Sequence, residues 1–556
     1  MSSIHRLGAG LAALLVFSSV VQAQDASDQA QNAAQQKSLE ELQQTVINLL
    51  QALVDKGLLT RAQADQLVQQ AKDKAAADAA ALAARNAAQA KEEQGAVRVP
   101  YVPQIIQDQI SKQVAQEVKP AVVADVVKEA KAEKWGVPAA LPDWLSRVSV
   151  FGDVTVRGQA DLYPHDNSYE QLLDYNAVNA AGSIYTASYP YLNTTEDRYR
   201  IRLRARLGVE AKLSDHVEAV IRLASGSLTE IAGSESQNEG TYANRYPVGF
   251  DQAYIVWNTN VPGQLSLNTL EGGRLGNPWF APTEMVFARD LTFEGVADTL
   301  RLGWGEGGAQ RSHVFLTLAA DPILDFPENS AEDKWMLGAQ FGTHLRFGDS
   351  DRFTLAGAYY DFLKVTGELN APNSTLLNYT APPFVQWGNT MFNIANNPAD
   401  QNAALYALAA HFRVADVAAT FEHDLTSRYN LTVMGEAVRN LGYNLQDVET
   451  LSGQTFGSPQ DRGYVGEVDF GDPTVDEFLK WRAAIGYRYV QADAVVDAWT
   501  DADFHGGGTN AHGYYLWGSL GFTHNVWVRL RYLSANSITG PVFDLDTWQL
   551  DVNAKF

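Results

Sequence analysis

Between Glu196 and Leu207 the chain reads EDRYRIRLRARL, with an arginine at every second position from Arg198 through Arg200, Arg202 and Arg204 to Arg206. On a helix these guanidiniums would scatter around the axis. On a strand, where successive side chains point to opposite faces, they share one face, and Tyr199, Ile201, Leu203, Ala205 and Leu207 share the other. One arginine turned toward hydrocarbon at mid-bilayer costs about 2–4 kcal/mol, so the basic face must meet water or protein acids. The segment therefore demands a sheet that is greasy on one side and polar on the other.

The same period governs the chain from about residue 148 onward. Trp548, Leu550, Val552, Ala554 and Phe556 alternate with Thr547, Gln549, Asp551, Asn553 and Lys555. Trp335, Leu337, Ala339, Phe341, Leu345 and Phe347 oppose Gln340, His344 and Arg346. Trp481, Ala483, Ile485, Tyr487 and Tyr489 oppose Lys480, Arg482 and Arg488, and Val526, Val528, Leu530 and Tyr532 oppose Arg529 and Arg531. The runs reach about 10 residues, the length a tilted strand needs to cross a bilayer. Segments of this kind number about sixteen, counting one over 493–502 and one or two over 402–424. Single-chain barrels have even strand numbers, which leaves sixteen or eighteen. Short turns such as Leu213-Ser214-Asp215 and Gly348-Asp349-Ser350 alternate with long polar segments over 164–195, 227–247, 363–401 and 442–477. That asymmetry predicts an all-β transmembrane barrel of antiparallel strands over 148–556, wide enough for an aqueous lumen. A soluble sandwich or propeller is the competing reading; no 40–50-residue repeat supports a propeller.

The region before the barrel has a different character. Residues 1–23 carry His5 and Arg6, an apolar stretch from Leu11 to Phe17, and the small-residue site Val21-Gln22-Ala23, the layout of a secretory signal. Over 24–98 the pattern is helical. Leu39, Leu42, Val46, Leu49 and Leu53 form a coiled-coil seam, and Lys56-Gly57 ends it before a capping box at Thr60-Arg61-Ala62-Gln63. This predicts a hairpin packed on itself or an oligomerisation coil, placed in the periplasm, with a wholly disordered region as the third reading. Residues 99–147 form an extended and helical linker punctuated by Pro100, Pro103, Pro120, Pro138 and Pro142.

Composition excludes several chemistries. The chain has no cysteine, which removes disulfides, thiol catalysis and Cys-based metal sites. Its formal charge of −23 makes nucleic acid a poor partner. Gly303-Trp304-Gly305-Glu306-Gly307-Gly308 fits a dinucleotide fingerprint but precedes a strand, and His505-Gly506-Gly507-Gly508 lacks the nucleophile elbow of an esterase. His411 with His423, Asp501 with Asp503, and Asp544 with Asp546 fall short of a metal-ligand set. The expectation is no catalytic residue, no metal, no cofactor and no enzyme. The arginine face keeps two readings: a basic track attracting anions, or a ladder opposing acids on an inward-folded loop over 277–294 that carries Glu284, Asp290 and Glu294.

Several of these segments, taken together, resemble the bacterial putative-porin family. They are Phe151-Gly152-Asp153-Val154-Thr155-Val156-Arg157, the arginine strand, Ile221-Arg222-Leu223-Ala224-Ser225-Gly226, Gly273-Arg274-Leu275-Gly276-Asn277-Pro278, the stretch from Arg289 to Ala297, and the last strand. The resemblance implies an outer-membrane porin that lets small hydrophilic solutes or ions diffuse passively. It also implies that Phe556, with Trp548 on the same face, belongs to a signal read by the barrel-assembly machinery. Expected wall residues are Arg198, Arg200, Arg202, Arg204, Arg206, Arg222 and Arg274, with Asp290 and Glu294 opposing. Outer-membrane lipid is the expected surroundings and a homotrimer the expected assembly, since the seam wants a partner. The alternative is an outer-membrane anchor, tether or adhesin whose helical region or loops bind envelope partners.

Overall fold

The computed structural model describes residues 147–556, apart from 234, 260–265, 305–311 and 328–330. The expected signal segment, helical seam and most of the linker lie outside the described residues, as do Gly305, Gly307 and Gly308.

Sixteen strands form the wall. They are β1 (Val148–Leu162), β2 (Arg198–Lys212), β3 (Val217–Ser225), β4 (Val248–Asn258), β5 (Ser266–Leu275), β6 (Phe293–Trp304), β7 (Ser312–Leu324) and β8 (Lys334–Phe347). The second half comprises β9 (Asp351–Leu363), β10 (Phe412–Asp424), β11 (Asn430–Asn440), β12 (Arg462–Gly471), β13 (Trp481–Val490), β14 (Ala511–Thr523), β15 (Val526–Ser537) and β16 (Asp544–Lys555). Every strand pairs antiparallel with its neighbours. β1 pairs with both β2 and β16, so no edge remains: Gly158 lies opposite Ile201 on one side and Leu550 on the other. The seam is finished by reciprocal bonds, the Phe556 N–H donating to the Gly152 carbonyl and the Gly152 N–H to the Phe556 carbonyl, both 3.0 Å. A Cβ on Gly152 would sit 2.4 Å from the Arg206 carbonyl and 2.6 Å from the Phe556 ring, so this close approach requires glycine.

The apolar parity of the strands faces outward. Tyr199 is 73% exposed and Ile201 53%, and Val296, Phe341, Ile485, Leu530 and Leu550 are exposed with them. In water such a belt would be an aggregation surface; around a closed barrel it is the face that meets acyl chains. Among the described residues no helix is long and apolar enough to cross a membrane.

The total of sixteen agrees with the sequence expectation, but two segments exchange roles. Residues 493–502, expected as a strand, form an inward loop with a short 3-10 turn at Asp497–Trp499. Residues 462–471, expected as polar loop, are β12. The sequence DAVVDAWT has its apolar residues buried on all sides rather than on one: Ala494, Val495, Val496 and Ala498 are all buried. In β12 Gly466 interrupts the apolar stripe of Tyr464, Val468 and Phe470, and Gly463 and Gly471 thin the other face, which weakens the alternation. The ambiguous stretch 402–424 supplies one wall strand. Its first part, Tyr406–Leu408, pairs with Met391–Asn393 within a loop.

Short turns at 213–216, 348–350 and 524–525 lie at one end, together with the start of β1 and the end of β16. Long connections at 163–197, 276–292, 364–411 and 491–510 lie at the other, and these fold into the barrel. Met285, Val286, Phe287, Ala288 and Leu291 from 276–292 pack with Tyr360 and Phe412 of the wall and with Val495 of 491–510. Main-chain bonds lock the two loops together: the Ala288 N–H donates to the Trp499 carbonyl at 2.7 Å, and Thr500 Oγ1 donates to the Met285 carbonyl at 2.8 Å. Loop 364–411 is tied on through Thr390, whose N–H and hydroxyl both donate to Asp493 at 2.8 and 2.7 Å. A cylinder of this width cannot be filled by wall side chains, so loops with their own apolar residues supply the core and narrow the lumen.

Candidate functional site

Arg200, Arg202, Arg204 and Arg206 of β2 are half-buried and meet acids. Arg200 pairs with Asp161 of β1. Arg204 lies 3.1 Å from Asp290 of loop 276–292 and 3.5 Å from Asp153 of β1. Arg206 donates from Nε to Asp153 at 2.7 Å and lies 2.9 Å from Glu235 of loop 226–247. Arg222 on β3 joins Glu235 at 3.2 Å and pairs with Asp251 of β4. Arg202 reaches Asp503 only at 4.0 Å, and Arg198 is exposed, opposite Asp161 in register. Of the two sequence readings of this face, the observed contacts are those of a ladder opposed by acids.

Arg274 and Glu294 stand apart from this cluster. They pair with each other at the loop end of β5 and β6, 39% and 57% exposed, with Glu294 on the strand parity of exposed Val296 and Leu300. Of the acids expected opposite the ladder, only Asp290 reaches it.

Beside the ladder, on β1, β13 and β15, the lumen uses residues that sequence reasoning did not select. Arg157 of β1 binds Asp503 at 2.9 Å and Asp551 of β16 at 2.7 Å. Arg531 of β15 binds the same Asp503 at 2.7 Å, and Arg488 of β13 binds Asp501 at 3.2 Å. Burial alone would raise the Asp503 carboxyl, but Arg157, Arg531 and Arg202 together hold it well below the usual carboxylate range. Glu284 goes the other way. Burial, reinforced by Asp501, pushes it up to about 7 despite Arg289 at 3.5 Å. Next to these side chains lies a cavity of about 200 Å³, lined among others by Arg202, Arg204, Asp290, Asp503, Arg529 and Arg531. Period two on β15 shows Arg529 and Arg531 on a polar face. Nothing local to Asp503 shows that it will sit among three arginines.

The remaining sequence motifs have structural roles. His505 is buried, its Nε2 2.8 Å from the Phe543 carbonyl and its ring against Trp387. Gly507 lets the turn press on Gln386, where a Cβ would come within 1.9 Å of Oε1. His411 bonds Thr366 and His423 bonds Asp351. Among the described residues no three His, Asp or Glu side chains converge as a metal site.

A closed barrel with an apolar belt, inward loops and a charged narrow lumen defines the class of outer-membrane channels. Residues 43–556 match the family model described as Putative porin, and the chain belongs to that family. It is a porin, a passive diffusion channel of the outer membrane. Among solved structures, the chain is similar to OprB of Pseudomonas putida, with 10% identity, TM-score 0.41, and coverage of 76% of this chain and 97% of that one. It is also similar to the outer membrane channel DcaP of Acinetobacter baumannii, with 11% identity, TM-score 0.31, and coverage of 74% and 97%. A third is the trimer form of OmpT, an outer membrane protein of Vibrio cholerae, with 9% identity, TM-score 0.38, and coverage of 74% and 99%. No curated protein matches the sequence.

Proposed function

We propose that small hydrophilic solutes and ions pass through the cavity between the β2 ladder and the Arg157–Asp503–Arg531 cluster, whose width and paired charges sort them. The observation that carries this reading is the water-accessible space itself, about 200 Å³ and lined by charges of both signs. Arg198, Arg200, Arg202, Arg204, Arg206 and Arg222 are the proposed wall, with Asp290 opposing; Arg274 and Glu294 are proposed as a rim pair. Transport on this reading needs no covalent step, metal or cofactor. The helical region is proposed to lie in the periplasm, which is supported by β1 starting at the short-turn end. Trp548, its ring tilted against Tyr532 at 4.6 Å, and the exposed Phe556 ring remain the proposed signal for the barrel-assembly machinery, and a homotrimer in lipid is the proposed assembly. Planar-bilayer recording of the purified protein tests the reading: discrete conductance steps in potassium chloride are expected, and their absence would overturn it.

A further inference from the structure

We infer that the constriction holds a site for a small monocarboxylate, built around Arg529; this rests on the channel reading above. Every other arginine lining the cavity has a carboxylate within reach: Arg157 at 2.9 Å, Arg202 at 4.0, Arg204 at 3.1, Arg289 at 3.5, Arg488 at 3.2 and Arg531 at 2.7 Å. Among the described residues Arg529 has none. Its Nε donates to Ser519 Oγ at 2.8 Å, and its guanidinium carbon lies 4.5 Å from the centre of the Trp517 ring. Those two contacts fix the plane of the group by one hydrogen bond and one aromatic face. Its two terminal nitrogens are left for the cavity, as the fork that matches the two oxygens of a carboxylate.

The surroundings narrow the class of solute. The acid on the same wall, Glu467, is engaged by neutral donors, accepting from the Tyr515 hydroxyl at 2.7 Å and from Trp517 Nε1 at 3.3 Å. Glu467, Glu284 and Asp501 all line this space, so a dianion would meet like charge on three sides, whereas a monoanion can be matched by Arg529 with Arg289 across the gap. Trp527 lines the adjoining part and offers apolar surface to the body of an organic acid. The volume admits only a small one. The charge balance of the β2 ladder explains why the site lies here and not along the arginine repeat: there the acids already occupy the guanidiniums.

Bilayer recordings of the full-length protein test this with sodium acetate, sodium chloride and sodium sulfate gradients. Acetate is expected to permeate better than sulfate, and millimolar acetate to reduce chloride current by occupying the site. In Arg529→Gln the acetate-to-sodium permeability ratio is expected to fall by about threefold or more. Arg529→Lys, which keeps the charge but not the fork, is expected to fall between. Should Arg529→Gln form no channels, Ser519→Ala, which frees Nε, reads the same ratio and is expected to lower it. An acetate ratio unchanged in the variant that conducts, or sulfate permeating as well as acetate, would overturn the site. A parent protein without conductance in any salt would instead overturn the channel reading.

Discussion

On β2, each guanidinium from Arg200 to Arg206 meets a carboxylate supplied by a neighbouring strand or an inward loop, although Arg202 only at 4.0 Å. On β15, Arg531 meets Asp503 while Arg529, two residues earlier, meets a hydroxyl and an indole face. The two strands show the same alternating pattern of Arg against apolar residues. Pattern decides which side of the wall an arginine occupies; loops that fold inward decide whether it is neutralised. The dense arginine row has the contacts of a ladder, and among the described residues lining the cavity Arg529 is the arginine with no carboxylate partner, which on our proposal leaves it for a solute.

The strongest way to break this contrast is at Asp503, which binds Arg157 and Arg531 and approaches Arg202 of the ladder. Asp503→Asn leaves Arg157 and Arg531 facing each other across a buried gap, and a loss of about 3 kcal/mol is expected, read as a lower midpoint of chemical unfolding in detergent. A second comparison sets Arg206→Gln against Arg529→Gln. The first takes the nearest cation from Glu235, which is 3% exposed and keeps Arg222 at 3.2 Å, and should cost about 2 kcal/mol; the second breaks no ion pair and should stay within about 0.5 kcal/mol, measured in the same unfolding series. If the two variants unfold alike, the division into ladder and site is wrong.

Acidity sharpens the contrast more gently. With Glu284 pushed up to about 7, the carboxyl is charged above that pH and neutral below it. Lowering pH from 8 to 6 removes one negative charge beside Arg529 and Arg289, so anion preference should rise, as a reversal potential shifted toward the anion. Glu284→Gln should show the acidic value throughout, and a parent curve flat across this range would remove Glu284 as the titrating group. The smallest effect expected is from ionic strength. At 1 M salt the screening length falls to about 3 Å, and the selectivity difference between the parent and Arg529→Gln should shrink without vanishing.

Much of the wall was legible because its signal is local. The strands β2, β8 and β16 could be read residue by residue, since one face must contact hydrocarbon and the other must not. The exchange between 462–471 and 493–502 shows where that logic ends. A glycine interrupted the stripe of a true strand, and a loop buried on all sides carried apolar residues in strand-like density. The ladder residues were legible as a set, and Asp290 was visible as a partner through the loop that follows β5. Arg274 and Glu294 were not separable from the others by sequence, because the pairing that sets them apart is mutual and lies at the strand ends.

Sequence by itself determined the barrel: a period of two from the pleat, a wet parity and a greasy parity from what each face meets, and turns short at one end and long at the other, in a sheet that must close because lipid leaves no partner for an open edge. Tertiary structure alone decided which charges cancel. Arg204 finds Asp290 across 86 positions and Arg157 finds Asp503 across 346, because inward loops bring distant segments to one level of the lumen, where ion pairing depends on a few ångströms of approach and not on order along the chain.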